Sequence, residues 1–345
     1  MPLGPVSSNF TQSVYLVADL ICFAITASIA STPAGFETIT RALLACAAAN
    51  IFLAFLDIGT YATGTSWLLD FMRNAQYALH FDDEVTGMKR IVGSFTEASS
   101  FARSTLGLTA FTGTLWVCGR SPALTGPLAA ISLTLVVLST SSTGLAGAPL
   151  VLLIVYVTAA MRSGFQLSHP YRSAAVLCAP LVAIAVVLAI LLNDTAAAIV
   201  RNYLDVLIFN KSTSDSGVER EMWNTFALQN FFDSYGIGVG LGTSRASSFP
   251  LALLSNVGVA GTLFYLLFIG TAFLGRRGTP MSGPSDVRLA ARNACLGLII
   301  GDTFAAPTVE QGLFFYILVG MACAQPERAA YRPPVISRLP TGAKI

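Results

Sequence analysis

The chain has 345 residues, of which 54% are hydrophobic and 11% charged, and its mean hydropathy is +0.67. Soluble domains carry roughly 25% charged residues, so this balance excludes an ordinary soluble globule and points to an integral membrane protein. The formal net charge of +2 leaves no basic footprint for nucleic acid, and no nucleic-acid partner is expected.

The apolar runs are continuous and do not alternate, so the spans read as helices and not as barrel strands. One helical membrane domain over 1–345 is expected. The first residues, MPLGPVSSNFTQ, lack a basic n-region and do not read as a cleaved signal peptide. Spans are predicted over 14–31 and 42–61. A long loop follows over 62–101, in which Trp67 to Arg73 is amphipathic at helical spacing and suits an interface. The next span is 104–119. Residues 121–161 carry no charge; at roughly 20 residues per crossing this run is two helices, with its turn at 139–144, STSSTG. A span over 173–193 leads to a second long loop, 194–248. There 196–209 reads as a surface helix capped by Asp194, and Trp223 and Phe226 anchor another. Spans over 250–274, 290–304 and 311–324 precede a tail, 325–345. The total is about nine crossings.

Arginines set the orientation. Arg41, Arg120, Arg162, Arg172, Arg276, Arg277, Arg288, Arg292, Arg328, Arg332 and Arg338 fall on one side, which is expected to be cytoplasmic. The N-terminus is then outside, and both long loops face the periplasm. They hold Arg73, Lys89, Arg90, Arg201, Lys211, Arg220 and Arg245, which long loops tolerate outside. The six cysteines, Cys22, Cys46, Cys118, Cys178, Cys295 and Cys323, all fall in predicted spans without a C-x-x-C pair. They read as apolar packing residues, with no disulfide framework or zinc site.

Among these charges Arg245 is singled out by its setting. Gly236, Gly238, Gly240 and Gly242 precede it and let backbone approach something bulky; an uncharged run, 246–275, follows. A guanidinium keeps its charge and matches phosphate or carboxylate with a planar fork of donors. An arginine held at a membrane surface by glycines suits an anionic, lipid-linked substrate. Arg220 is a second candidate, with an exposed ion pair to Glu219 or Glu221, worth about 0–1 kcal/mol, as its plain alternative. For Lys89 and Arg90 the alternative is anchoring to lipid headgroups. Glu97, at the mouth of a span, suits a general base or merely a helix-start acid. Asp302 and Glu310 flank the last outward turn, and Asp19 lies within a span, where acids are functional candidates. Asp82, Asp83 and Glu84 are adjacent acids without a D-x-D pair, and they read as a solvated run.

Four motifs occur in order. They are R-x-x-G-x-F-x-E-A-x-x-F-A from Arg90 to Ala102, S-T-G-L-A from Ser142, S-G-x-x-R-x-x-W from Ser216 to Trp223, and G-x-G-x-G-x-x-x-x-R from Gly236 to Arg245 followed by L-L-x-N-x-G-x-x-G from Leu253. Together, over residues 89–325, they resemble the bacterial O-antigen polymerase and O-antigen ligase superfamily. The resemblance implies an all-α polytopic membrane glycosyltransferase of the bacterial inner membrane, working at its periplasmic face without metal or other cofactor. Its donor is a glycan on undecaprenyl diphosphate, and membrane lipids and a chain-length regulator protein are its expected partners. Arg245, Arg220 and Glu97 are then the catalytic candidates, with Arg90, Lys89, Gly238, Gly240, Ser247 and Trp223 binding substrate. Ligases of the family commonly carry a histidine after the glycine turn. Here Ser247 and Ser248 stand there, and the two histidines, His80 and His169, lie elsewhere. That departure favours a polymerase and leaves the base open. The family usually has more N-terminal spans, so the chain reads as a truncated or short member.

Overall fold

The computed structural model describes residues 4–73, 84–85, 87–163, 170–209, 214–275, 278 and 281–327. Expectations placed on His80, Asp82, Asp83, His169, Lys211, Arg276, Arg277, Arg328, Arg332 and Arg338 lie outside the described residues. Among those described the chain is helical, apart from a two-residue antiparallel pair, β1 (Glu84–Val85) with β2 (Met88–Lys89). The helices are α1 (Ser7–Ile29), α2 (Pro33–Ala62), α3 (Ala98–Val117), α4 (Pro122–Leu138), α5 (Ser142–Ser163), α6 (Pro170–Leu191), α7 (Asp194–Leu204), α8 (Asp215–Asp233), α9 (Phe249–Leu274), α10 (Gly283–Phe304) and α11 (Leu313–Cys323).

Each expected span holds one helix, α1 to α6 and α9 to α11. Length and apolarity suffice for a crossing in four of them: α1, α2, α5 and α9. A fifth is added if Val176–Leu191 and Asp194–Phe209, which meet at 103°, form one broken span. The helices α4 and α11 are apolar but short, with 17 and 11 residues.

The centre of the bundle is α3, packed against α10, α4 and α5. It is buried on nearly every face, and its interior includes Thr105, Thr109, Thr112 and Thr114. Small residues bring α3 and α10 together. A Cβ added to Gly297 would sit 3.0 Å from the Leu106 carbonyl oxygen and 3.3 Å from the Ala110 Cβ. With no hydrophobic drive between helices in lipid, such close contact and buried hydrogen bonds hold a bundle. Asn293 on α10 donates to the hydroxyls of Thr114 on α3 and Thr158 on α5, each at 2.9 Å. Asn50 on α2 donates to Thr105 at 3.0 Å.

Carboxylates near the two ends of α10 organise its surroundings. Asp286 takes Arg120 (2.7 Å) and Arg162, while Asp302 takes Arg103 (2.8 Å). Sixteen residues separate the two acids (302 − 286), about 24 Å at 1.5 Å per residue. The described parts of both long segments reach the Asp302 end. Asp57, near the close of α2, bonds the N–H groups of Val92 and Gly93 just before α3. Backbone bonds join Ala246 to Pro307 and Ala306 to Ser247 just after α10. At the Asp286 end, opposite Asp302 on α10, lie the described short-loop arginines Arg120, Arg162, Arg288 and Arg292.

Two local expectations are corrected. The cap of α7 is Asn193, whose side-chain oxygen accepts from the Ala196 N–H at 2.9 Å; Asp194 is already inside the helix. Residues 67–73 do not form an amphipathic helix. A single 3-10 turn, Ser66–Leu69, is followed by further turns, and Arg73 points inward, 4% exposed.

Candidate functional site

The glycine turn is built by the helix that follows it. Inside α9, Gly258 leaves helical geometry at φ 65°, ψ −167°. The break frees the carbonyls of Ser255 and Asn256, which accept from the N–H groups of Val239 (2.8 Å) and Gly240 (3.0 Å); the Val259 N–H bonds the Gly236 carbonyl at 2.9 Å. A Cβ on Gly258 would lie 2.1 Å from the Ile237 oxygen. One on Gly238 would lie 2.6 Å from the Gly258 nitrogen. The bulky neighbour the glycines admit is thus α9's own backbone, and Gly238 is occupied by it. Gly240 faces Thr243 and Asn9. The start of α1 secures the turn from another side: Asn9 donates to the Leu241 carbonyl and the Thr243 hydroxyl, both at 2.7 Å, and Ser8 donates to the Gly242 carbonyl at 2.7 Å.

This clasp presents Arg245. The side chain is exposed, and its guanidinium lies 3.9 Å from the centroid of the Trp223 ring on α8, a cation–π stack. Among the described residues it makes no salt bridge. Next to it, the buried Ser247 donates its N–H to Asn224 of α8 at 2.8 Å. Arg220, one turn before Trp223 on α8, reaches only the Phe304 carbonyl at 3.5 Å, the outer limit of a hydrogen bond. It forms no ion pair with Glu219 or Glu221 among the described residues. Arg245, Arg220, Trp223 and Ser247 therefore come together where α8, α9 and the end of α10 meet.

Lys89 and Glu97 are elsewhere. The Lys89 ammonium is 2.9 Å from Asp57 and 4.8 Å from the centroid of the Tyr61 ring, with its side chain 7% exposed. Asp57 also takes Arg73 at 2.7 Å, and Arg73 returns a 2.6 Å bond to the Gly93 carbonyl. Lys89 is thus neither a headgroup anchor nor an accessible substrate contact: Asp57 has claimed it. Arg90 is half-buried. Glu97 occupies the N-cap of α3 and accepts from the hydroxyls of Ser99 and, at 3.3 Å, Ser100. Among the described residues no hydrogen bond joins it to Arg220 or Arg245.

The other three acids meet. Asp302 is held by Arg103 and by the side-chain amide of Gln311 (3.1 Å), and Arg103 also bonds the Gln311 carbonyl at 2.9 Å. Tyr265 donates to the Gln311 side chain. Glu310 lies near Asp19 of α1, and burial pushes the Glu310 carboxyl up against the pull of Arg103. Arg103 and Asp57 are the residues the sequence reading passed over. Each carried a signal, a charge inside or at the edge of an apolar run. Among the described residues no three His, Cys, Asp or Glu side chains are grouped to hold a metal ion.

No protein-family model matches the chain, and no curated protein or solved structure matches it either.

Proposed function

We propose that the chain is an inner-membrane glycosyltransferase that polymerises oligosaccharide repeat units carried on undecaprenyl diphosphate, with its active face in the periplasm. The carrying observation is Arg245: exposed, stacked on Trp223, and without a salt bridge among the described residues. It sits at the bundle end that bears both long segments. A guanidinium so placed suits a diphosphate at the membrane surface.

In this reading the acceptor hydroxyl oxygen attacks the anomeric carbon of the donor glycan. The anomeric C–O bond breaks, and the lipid diphosphate leaves with the bonding pair. Arg245 and Arg220 meet the charge that builds on it, an electrostatic contribution made where charge develops. The acceptor proton passes to a general base, for which Glu97, outside the arginine cluster but at the α3 start on the same bundle end, is the carboxylate we assign. Ser247 and Trp223 shape the donor side, and Arg90 stands at the approach from the first long segment. Gly238, Gly240 and Lys89 hold the scaffold.

The test is turnover by the purified chain in liposomes, supplied with lipid-linked repeat units. A ladder of glycan lengths supports the reading. Transfer solely to lipid A–core makes the protein a ligase, and movement of the lipid-linked sugar without new bonds makes it a transporter; either result overturns the proposal.

A further inference from the structure

At the Asp286 end, away from the glycine clasp, α2, α10 and the α3–α4 turn enclose a cavity of about 530 Å³. That is within the range of ligand pockets, about 300–1,000 Å³. Its floor is apolar: Phe36, Leu115 and Val287 are buried there, with Leu44 half-buried beside them. Its mouth is polar and open, with Glu37, Arg120 and Ser121 exposed. It lies beside α2, one of the helices long and apolar enough to cross a bilayer.

Arg120 is the distinctive group. Its Nε bonds Asp286 at 2.7 Å. Its two terminal nitrogens are 3.7 and 4.0 Å from where a Gly283 Cβ would stand, on the cavity wall, and they make no hydrogen bond among the described residues. The surrounding charges do not cancel. Glu37 is paired with Arg41, Glu327 with Arg288, and Asp286 with both Arg120 and Arg162. Of these charges only Glu37, Glu327 and Arg120 line the cavity; with their partners behind the wall included, four arginines stand against three carboxylates (4 − 3 = +1). An apolar chamber with a half-exposed guanidinium at its mouth and one positive charge in excess fits an amphipathic anion. Basic pockets between membrane helices recognise anionic lipid headgroups in this manner.

We propose that this cavity binds one anionic phospholipid, its acyl chain among Phe36, Leu44, Leu115 and Val287 and its phosphate at Arg120. The site is separate from the clasp and does not depend on the glycosyltransferase reading. The recognition chemistry, phosphate on guanidinium, is shared by a free phosphate ion, so the probes must separate the two.

The experiment measures lipid binding to the delipidated full chain by native mass spectrometry. The probes are phosphatidylglycerol, phosphatidylcholine and inorganic phosphate. Phosphatidylglycerol should bind as a single tight adduct at least about tenfold more strongly than phosphatidylcholine, and millimolar phosphate should not displace it. Arg120→Gln should erase the preference for the anionic lipid. Thr40→Trp, which fills the cavity from the α2 wall and leaves the ion pairs intact, should weaken both lipids and serves if the arginine variant does not fold. Equal binding of the two lipids overturns the proposal, as does displacement by phosphate alone. So does a Thr40→Trp protein that binds phosphatidylglycerol as the unaltered chain does.

Discussion

The Asn256 side chain bonds Ser244 in both directions: its oxygen accepts the Ser244 N–H at 3.1 Å, and its amide donates to the Ser244 carbonyl at 2.8 Å. One buried side chain thus stands in for a strand partner and fixes the residue next to Arg245. Asn256→Asp keeps the acceptor and loses the donor, leaving a buried carbonyl and a buried charge. The expected cost is about 1–3 kcal/mol, read as a lower melting temperature and faster proteolysis within 236–245. Ser255→Ala, which loses two long bonds, one to the Ala252 carbonyl at 3.3 Å and one from the Asn256 amide at 3.4 Å, should change little. Equal melting of Asn256→Asp and the unaltered protein would show that the other bonds of the clasp hold the turn without it.

Asp57 anchors two cations in a buried site. Removing one partner of such a network leaves uncompensated charge and typically costs about 3–5 kcal/mol. Asp57→Ala should therefore melt well below the unaltered protein in detergent. A variant at an exposed pair, Glu37→Ala, should not. Identical melting curves would contradict the assignment of Lys89 and Arg73 as structural.

Arg245 is expected to contact the donor diphosphate. Lysine keeps the charge but loses the planar fork and its stack on Trp223. Arg245→Lys should be damaging, and Arg245→Ala should abolish glycan extension, while both insert and fold, since the side chain is exposed. Wild-type extension rates from both variants would reduce Arg245 to a headgroup anchor.

If Glu97 is the base, Glu97→Gln should cut turnover about a hundredfold or more with donor binding intact. The amide can still accept from Ser99 and Ser100, so the start of α3 should survive. Near-normal turnover would leave Glu97 as the acid that opens a helix.

Sidedness can be read directly. Ser214 caps α8 within the second long segment. Ser214→Cys in a background free of other cysteines should react with an impermeant thiol reagent in cells whose inner membrane is intact. Labelling that requires breaking that membrane would invert the orientation.

Most helix positions were legible because charge interrupts the apolar runs; within the uncharged run 121–161 the polar STSSTG stretch around 139–144 marks the α4–α5 turn, which occupies 139–141. The glycine turn and the L-L-x-N-x-G-x-x-G run were legible as motifs. That they are two halves of one clasp was not, since Asn256 and Gly258 act across a break that helical periodicity hides. Asp57 was also hidden. Its partners Arg73 and Lys89 are 16 and 32 residues away (73 − 57 and 89 − 57), in a segment whose path no periodic pattern fixes. Nor does hydropathy separate helices that face lipid from those that face protein. α3 and α10 carry charge and small polar residues because neighbouring helices, not lipid, surround them.

That setting of α3 constrains how the chain can be made. Arg103 leaves the ribosome 199 residues before Asp302. Until α10 is synthesised, Arg103 of α3 lacks its carboxylate partner, and lipid tails offer it none. Membrane integration of α3 is therefore provisional, completed only when the last hairpin arrives. A nascent chain stopped after α9 should be cleared by membrane proteases, although α1, α2, α5 and α9, the described helices long and apolar enough to cross, are already in place.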